Sequence, residues 1–259
     1  MKICIDAGHS IRQNQSPAVR TYYEGERMFV LQRYLRAALE RYGFTVVCTR
    51  SRVEDNPSLY ERAEFGRGCG LLVSLHSNAI GNEANENIDR VTVFRSVNGE
   101  MQRLAGELAE VVSNVMHTKQ QPQVATRFNT AGDADYYGIL RHSVAFGTPA
   151  LLVEHSFHTN TRSTQWLLRD ENLSELADAE AATIAETFGM EAKEMRYELL
   201  KDVKNPFYRP TLDKLAERGI LLGYGGVGEE LMLRMGEDAV RVLVLLDRAG
   251  VFDLPGTKQ

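Results

Sequence analysis

The chain has 259 residues, 43% of them hydrophobic and 25% charged, with a formal net charge of -5. Those values suit an ordinary globular protein and lack the surplus of Lys and Arg with which nucleic-acid-binding domains meet phosphates. Nowhere is there the run of ~20 apolar residues that a membrane-crossing helix needs.

The length admits one large domain or a medium one with a small companion. Cys4, Cys48 and Cys69 are an odd number. Two of them sit in apolar strand-like runs and read as buried thiols, not as disulfide partners or metal ligands. A secretory leader is not expected, because the polar His9 falls where the apolar core of a leader would lie. Synthesis in the cytoplasm is therefore expected.

Residues 1–10, Met1-Lys2-Ile3-Cys4-Ile5-Asp6-Ala7-Gly8-His9-Ser10, are a short apolar run ending in Gly and His. The pattern predicts a buried strand with an imidazole at its carboxyl end. Open α/β sheets bind ligands just beyond such strand ends. A turn-prone stretch from Arg12 to Tyr23 follows, then Met28, Leu31, Leu35 and Leu39 at helical spacing. Thr21 and Glu24 have the spacing of a capping box. Glu24 therefore has two readings: a carboxylate closing its own helix, or a metal-binding carboxylate kept ionised at a helix amino terminus. Glu26 is the alternative for the second role.

Phe44 to Thr49 predicts a second strand, and helix then strand implies a βαβ unit. Asn56 and Pro57 suit the start of a short helix reaching about Phe65. Leu71 to Ala79 repeats the opening design, a continuous apolar run closed by His76, as expected of a parallel strand buried on both faces. Val91 to Phe94 predicts a strand, and Asn98 can cap a long helix carrying Met101, Leu104, Leu108, Val111 and Val115. Lys119 to Asp135 has no periodicity and reads as a long loop, a common place for function. Arg127, Asn129, Asp135, Tyr136 and Tyr137 could line a groove there.

Pro149 to Glu154 is a third strand of the same kind, apolar and then abruptly polar. A carboxylate at the end of a buried strand must be paired, hydrogen-bonded or metal-linked, because desolvating it alone is costly. Leu173 to Phe188 predicts a closing helix. Beyond about Gly189 the pattern changes: residues 191–205 read as a charged linker. Residues 206–259 read as a small helical domain with a helix opened by Pro210, a glycine-rich turn and a helix from about Glu237 to Ala249.

Three strand ends thus deliver His9, His76 and Glu154 to one sheet edge, with Glu24 beginning the helix after the first. Two imidazoles and one carboxylate with a position left open are the ligand composition of a catalytic zinc site. Glu154 is then the acid/base that moves the proton. The competing set is His142, His155 and His158. Strand alternation points His155 away from Glu154 and lets His158 return to its side. Asp6 reads as a structural hydrogen-bonding group and His117 as a helix-end residue.

Asp6-Ala7-Gly8-His9, Tyr22-Tyr23-Glu24-Gly25, Thr49-Arg50, Ser74-Leu75-His76-Ser77-Asn78-Ala79, Asp135-Tyr136-Tyr137 and the run Val153 to Asn160 together resemble the zinc-dependent N-acetylmuramoyl-L-alanine amidases. The resemblance covers residues 1–190. It implies an α/β fold with a mixed, mostly parallel sheet of about six strands between helices. It also implies zinc on His9, Glu24 and His76, Glu154 as catalytic acid/base, and cleavage of the amide between N-acetylmuramic acid and L-alanine in peptidoglycan. Asn78, Arg127, Tyr136, Tyr137, His155 and His158 are the candidate substrate contacts.

Residues 206–259 faintly resemble surface-layer-type wall-binding repeats through Leu215-Ala216-Glu217-Arg218-Gly219-Ile220 and Gly223-Tyr224; a dimerisation element is the alternative. The function expected is that of a phage-type lysin reaching the wall by a holin-like route. The rival readings are a zinc peptidase or deacetylase acting on another peptidoglycan amide, and a wall-binding module without catalysis.

Overall fold

A computed structural model describes residues 1–99, 101–191 and 196–253. The chain divides into two compact units, Met1–Ala192 and Lys193–Gln259.

In the first unit the strands are β1 (Lys2–Ala7), β2 (Thr45–Cys48), β3 (Leu71–Asn78), β4 (Thr92–Arg95), β5 (Gln123–Ala125) and β6 (Ala150–Phe157). The helices are α1 (Glu24–Arg41), α2 (Leu59–Phe65), α3 (Gln102–Met116), α4 (Gly138–Ala145), α5 (Thr161–Leu167) and α6 (Asp170–Thr187). One six-stranded sheet runs in the order β2-β1-β3-β6-β4-β5. Only the β4–β6 pairing is antiparallel.

The central strands are continuous apolar runs because helices cover both of their faces. Ile3, Ile5, Ala7, Leu71, Val73, Leu75, Leu151 and Val153 pack with apolar residues of α1, α3 and α6. The alternate residues, Cys4, Leu72, Ala150 and Leu152, pack with Ala63 of α2 and with Ile139 and Leu140 of α4. Since strand side chains alternate with period two, this division assigns a face to every polar residue at the strand ends. Cys4 and Cys69 are buried and, with Cys48, are free thiols.

Several local expectations are corrected. Helix α2 starts after Ser58, whose hydroxyl and the Glu61 carboxylate form a capping box, so Asn56 and Pro57 lie before it. Helix α3 has Met101 at its amino-terminal cap without a side-chain bond, so Asn98 does not cap it. His117, as expected, ends that helix, with φ 52°. The stretch from Lys119 to Asp135 contains β5, and α4 and α5 are additional short helices. No helix among the described residues is long and apolar enough to cross a membrane.

The second unit carries α7 (Arg209–Glu217) and α8 (Glu237–Arg248), together with an antiparallel pair, β7 (Arg196–Leu199) and β8 (Met232–Gly236). It is thus not solely helical, and the segment expected to be a linker contributes a strand. Its own core includes Tyr197, Leu200, Leu212, Leu233, Val240 and Val244.

Candidate active site

Asp6, Ser74, His76 and Glu154 occupy strand positions whose side chains point to the face covered by α2 and α4, at the carboxyl ends of β1, β3 and β6. His9 follows β1 in the left-handed region, φ 60°, a costly conformation for a residue with a Cβ. Two buried arginines hold it there. Arg62 of α2 donates to the carbonyls of Ala7 (2.6 Å) and His9 (2.7 Å) and to Asp6 Oδ1 (2.8 Å). Arg50 donates to the Gly25 carbonyl at 2.8 Å and the Gly8 carbonyl at 3.4 Å, tying the His9 loop to the first turn of α1. Asp6 also accepts from Thr49 Oγ1 (2.7 Å) and Ser74 Oγ (2.6 Å). Gly8 has no substitute, since a Cβ there would collide with the His76 ring.

Glu24 is the first residue of α1 and is buried. The residue before it, Tyr23, makes no side-chain cap bond, so Thr21 and Glu24 do not form a capping box. Instead Glu24 Oε1 accepts from the Ser77 amide (3.0 Å) and lies 2.9 Å from His76 Nδ1 and 3.5 Å from His9 Nε2. Its Oε2 accepts from Asn14 Nδ2 at 2.8 Å. Glu26 faces outward and accepts from the Arg12 amide at 3.3 Å.

Ligand atoms of His9, Glu24 and His76 all lie within 4.8 Å of one another. Two imidazoles and one carboxylate so arranged fit a divalent ion of the zinc type. Burial opposes the Glu24 charge, yet the His76 hydrogen bond and the charges of His76, His9 and His158 outweigh it and bring the carboxyl down to about 2. Burial likewise disfavours the His76 cation, but Glu24 lifts that imidazole to about 9. His9 is lowered, chiefly by burial.

Glu154 pairs with His76 in the parallel register of β3 and β6, so the two side chains share a face. Burial pushes its carboxyl up to about 7; the Glu24 charge adds to this and His76 and His155 oppose it. Its Oε2 is buried and has no hydrogen-bond partner among the described residues. A buried carboxylate oxygen left so requires an explanation.

The six candidate substrate contacts separate. Tyr137 packs on Phe94 (ring centroids 4.7 Å), which belongs to the same face as Glu154. The Tyr137 phenol is raised by burial and then by the Glu154 charge, with Arg127 opposing. Arg127 lies over the exposed Tyr136 ring, 3.6 Å from its centroid. Asn78 is half-buried and accepts from the Ala79 amide at 2.8 Å. Asp135 is a strut: it accepts from Ser96 Oγ (2.7 Å) and the Val97 amide (2.8 Å).

His155 and His158 do not line a groove. His155 is 0% exposed and points to the α6 side, with Nε2 3.0 Å from Glu180 Oε1. His158 is buried between Tyr22 and Ser77, its Nδ1 2.9 Å from Ser77 Oγ. Alternation holds for His155, which points away from Glu154 as expected, and fails for His158 because β6 bulges between Glu154 and Phe157. His142 sits on α4 against Tyr60.

Asn14, Arg50, Arg62 and Tyr22 had no assigned role in the sequence. Asn14 Nδ2 lies 3.0 Å from His9 Nε2 as well as bonding Glu24. The one signal for it is position, inside the polar stretch directly after His9. Tyr22 OH bonds Ser77 Oγ at 2.7 Å.

The family profile of N-acetylmuramoyl-L-alanine amidases matches residues 3–186. No curated protein sequence matches the chain. Among solved structures, Cwp6 from Clostridium difficile is 21% identical with a TM-score of 0.59, over 72% of this chain and 29% of that one. The chain therefore spans less than a third of Cwp6. The catalytic domain of CwlV, an N-acetylmuramoyl-L-alanine amidase from Bacillus (Paenibacillus) polymyxa var. colistinus, is 16% identical with a TM-score of 0.61, over 73% and 99%. The CwlD amidase from Clostridioides difficile, solved with the GerS lipoprotein, is 18% identical with a TM-score of 0.62, over 73% and 98%. These likenesses concern the fold.

Proposed function

The chain belongs to the N-acetylmuramoyl-L-alanine amidase family, and from that premise we propose that it cleaves the amide between N-acetylmuramic acid and L-alanine as a zinc hydrolase. His9, Glu24 and His76 are the metal ligands in this reading and Glu154 is the acid/base. The single observation that carries it is the buried, partnerless Glu154 Oε2 on the same face as His76.

A zinc ion held there would supply Lewis-acid polarisation of the scissile carbonyl and lower the pKa of water. Glu154 takes the proton of the attacking water and returns it to the leaving alanine nitrogen, so its carboxyl must exchange a proton near neutrality. Burial brings it into that range. Asn78, Arg127, Tyr136 and Tyr137 bind the substrate. Arg127 and Tyr136 offer a stacked cationic and aromatic surface suited to a sugar ring or an anionic peptide. Arg62 and Arg50 keep the His9 loop against α1, holding two ligands together before any metal arrives.

The test is digestion of purified peptidoglycan by the zinc-loaded protein. New amino-terminal L-alanine is expected. Release of a D-amino acid or of acetate would assign the site to another amide.

A further inference from the structure

Resting on the reading above, we propose that His155 and Glu180 are a positioning pair that fixes His76 and Glu154 relative to each other from the opposite face of the sheet. The observations start with a β-bulge. His76 pairs with Glu154 and Asn78 pairs with Phe157, so three steps along β6 match two along β3. Ser156 absorbs the extra residue with φ 58°. Such a conformation is strained for a residue with a Cβ and persists only where its surroundings over-determine it.

They do so here from two directions. His155 Nδ1 lies 2.8 Å from the His76 carbonyl oxygen, and Nε2 lies 3.0 Å from Glu180 Oε1. Both ring nitrogens thus face oxygens, and the ring is held at both ends. Beside it, Ser156 Oγ donates to the buried Asp89 at 2.9 Å. The bulge begins directly after the ladder pair that joins the metal ligand to the acid/base, so its clamp sets how those two side chains are aimed.

Glu180 stands in the buried stripe of α6 among Leu173, Leu176, Ala177, Ala181 and Ile184, and its Oε2 has no partner among the described residues. Replacing such buried pairs with apolar residues is often neutral or stabilising. Global stability is therefore a poor reason for a carboxylate in that stripe, and local geometry is the better one. Neither residue reaches the reactive face, so neither is catalytic.

The deciding variant is the full chain carrying H155L and E180L together, which removes the pair without leaving an unpaired charge. Supporting partners of metal ligands typically contribute ~10- to 100-fold to metal affinity or activity. We expect zinc affinity, measured by chelator competition without substrate, and kcat each to fall by at least ~10-fold on that scale, with KM within about twofold. E180Q keeps the shape and a neutral partner for Nε2, weakening a charge-assisted bond, and is the fallback if the double variant does not fold. It should lose ~3-fold or more in both quantities on the same reasoning. A folded variant whose zinc affinity and kcat both stay within about twofold of the parent chain overturns the proposal. The zinc arm needs no peptidoglycan, so failure of the parent chain to release L-alanine counts against the amidase reading alone.

Discussion

His76 and Glu154 face each other across the β3–β6 ladder, one step before that ladder loses its register. The imidazole proposed to hold the metal and the carboxylate proposed to carry the proton are thereby mounted on two hydrogen-bonded strands in the sheet's centre. Such a mount is far stiffer than a loop, and it makes the roles of the two side chains separable by substitution.

Glu154→Gln should leave zinc content unchanged and reduce hydrolysis ~100- to 10,000-fold, the usual contribution of a placed acid/base. Metal analysis alongside release of amino-terminal alanine checks both halves. Sustained hydrolysis would remove Glu154 from the chemistry.

His9→Ala or His76→Ala leaves one imidazole and one carboxylate, one short of the three protein ligands of a catalytic zinc site. Zinc should be lost on dialysis, and activity with it. Chelation of the parent chain should abolish hydrolysis and added zinc restore it; activity that survives exhaustive chelation would refute the metal.

Gly8→Ala places a methyl against the His76 ring. The ring must move, so zinc affinity should drop while the circular dichroism spectrum stays that of the parent. Unchanged zinc binding would mean the ring has room that the close approach denies it.

Asp6 gives the pH prediction. Burial opposes its charge, but Arg62, Ser74 and Thr49 together hold the carboxyl below the usual carboxylate range. A folded pKa below the unfolded one contributes stability above about pH 4, and that contribution is lost as pH falls through the folded value. Asp6→Asn also leaves Arg62 buried without its ion partner, a loss of ~3–5 kcal/mol where one member of a buried pair is removed. The Tm gap between parent and variant should therefore be wide at pH 7 and shrink in acid. A gap independent of pH would show that Asp6 is not the titrating group.

Much of the molecule is legible in residue order because burial leaves a periodic trace. The runs ending in His9, His76 and Glu154 are apolar on both faces, as strands between two helical layers must be, and the 3.6-residue spacing marks α1, α3 and α6. The short elements leave no such trace. Helix α4 has eight residues and β5 has three, too few to establish a period. Ser58 takes the place of Asn56 and Pro57 at the start of α2 only once its reciprocal bonds with Glu61 are seen.

The polypeptide's order of residues alone determined the layered α/β architecture, the three strand-end side chains and the choice of Glu24 over Glu26 as a named candidate, since each follows from local pattern or from likeness over residues 1–190. Tertiary structure decided the rest. It turned the Glu24 carboxylate toward His76, turned His158 aside through the Ser156 bulge, and brought Asn14, Arg50 and Arg62 against Glu24 and the His9 loop. Periodicity records which side of an element meets the core. Hydrogen bonds between residues 25 to 56 positions apart, like those of Arg50, Arg62 and His155, carry no local signature and exist only when the chain has closed on itself.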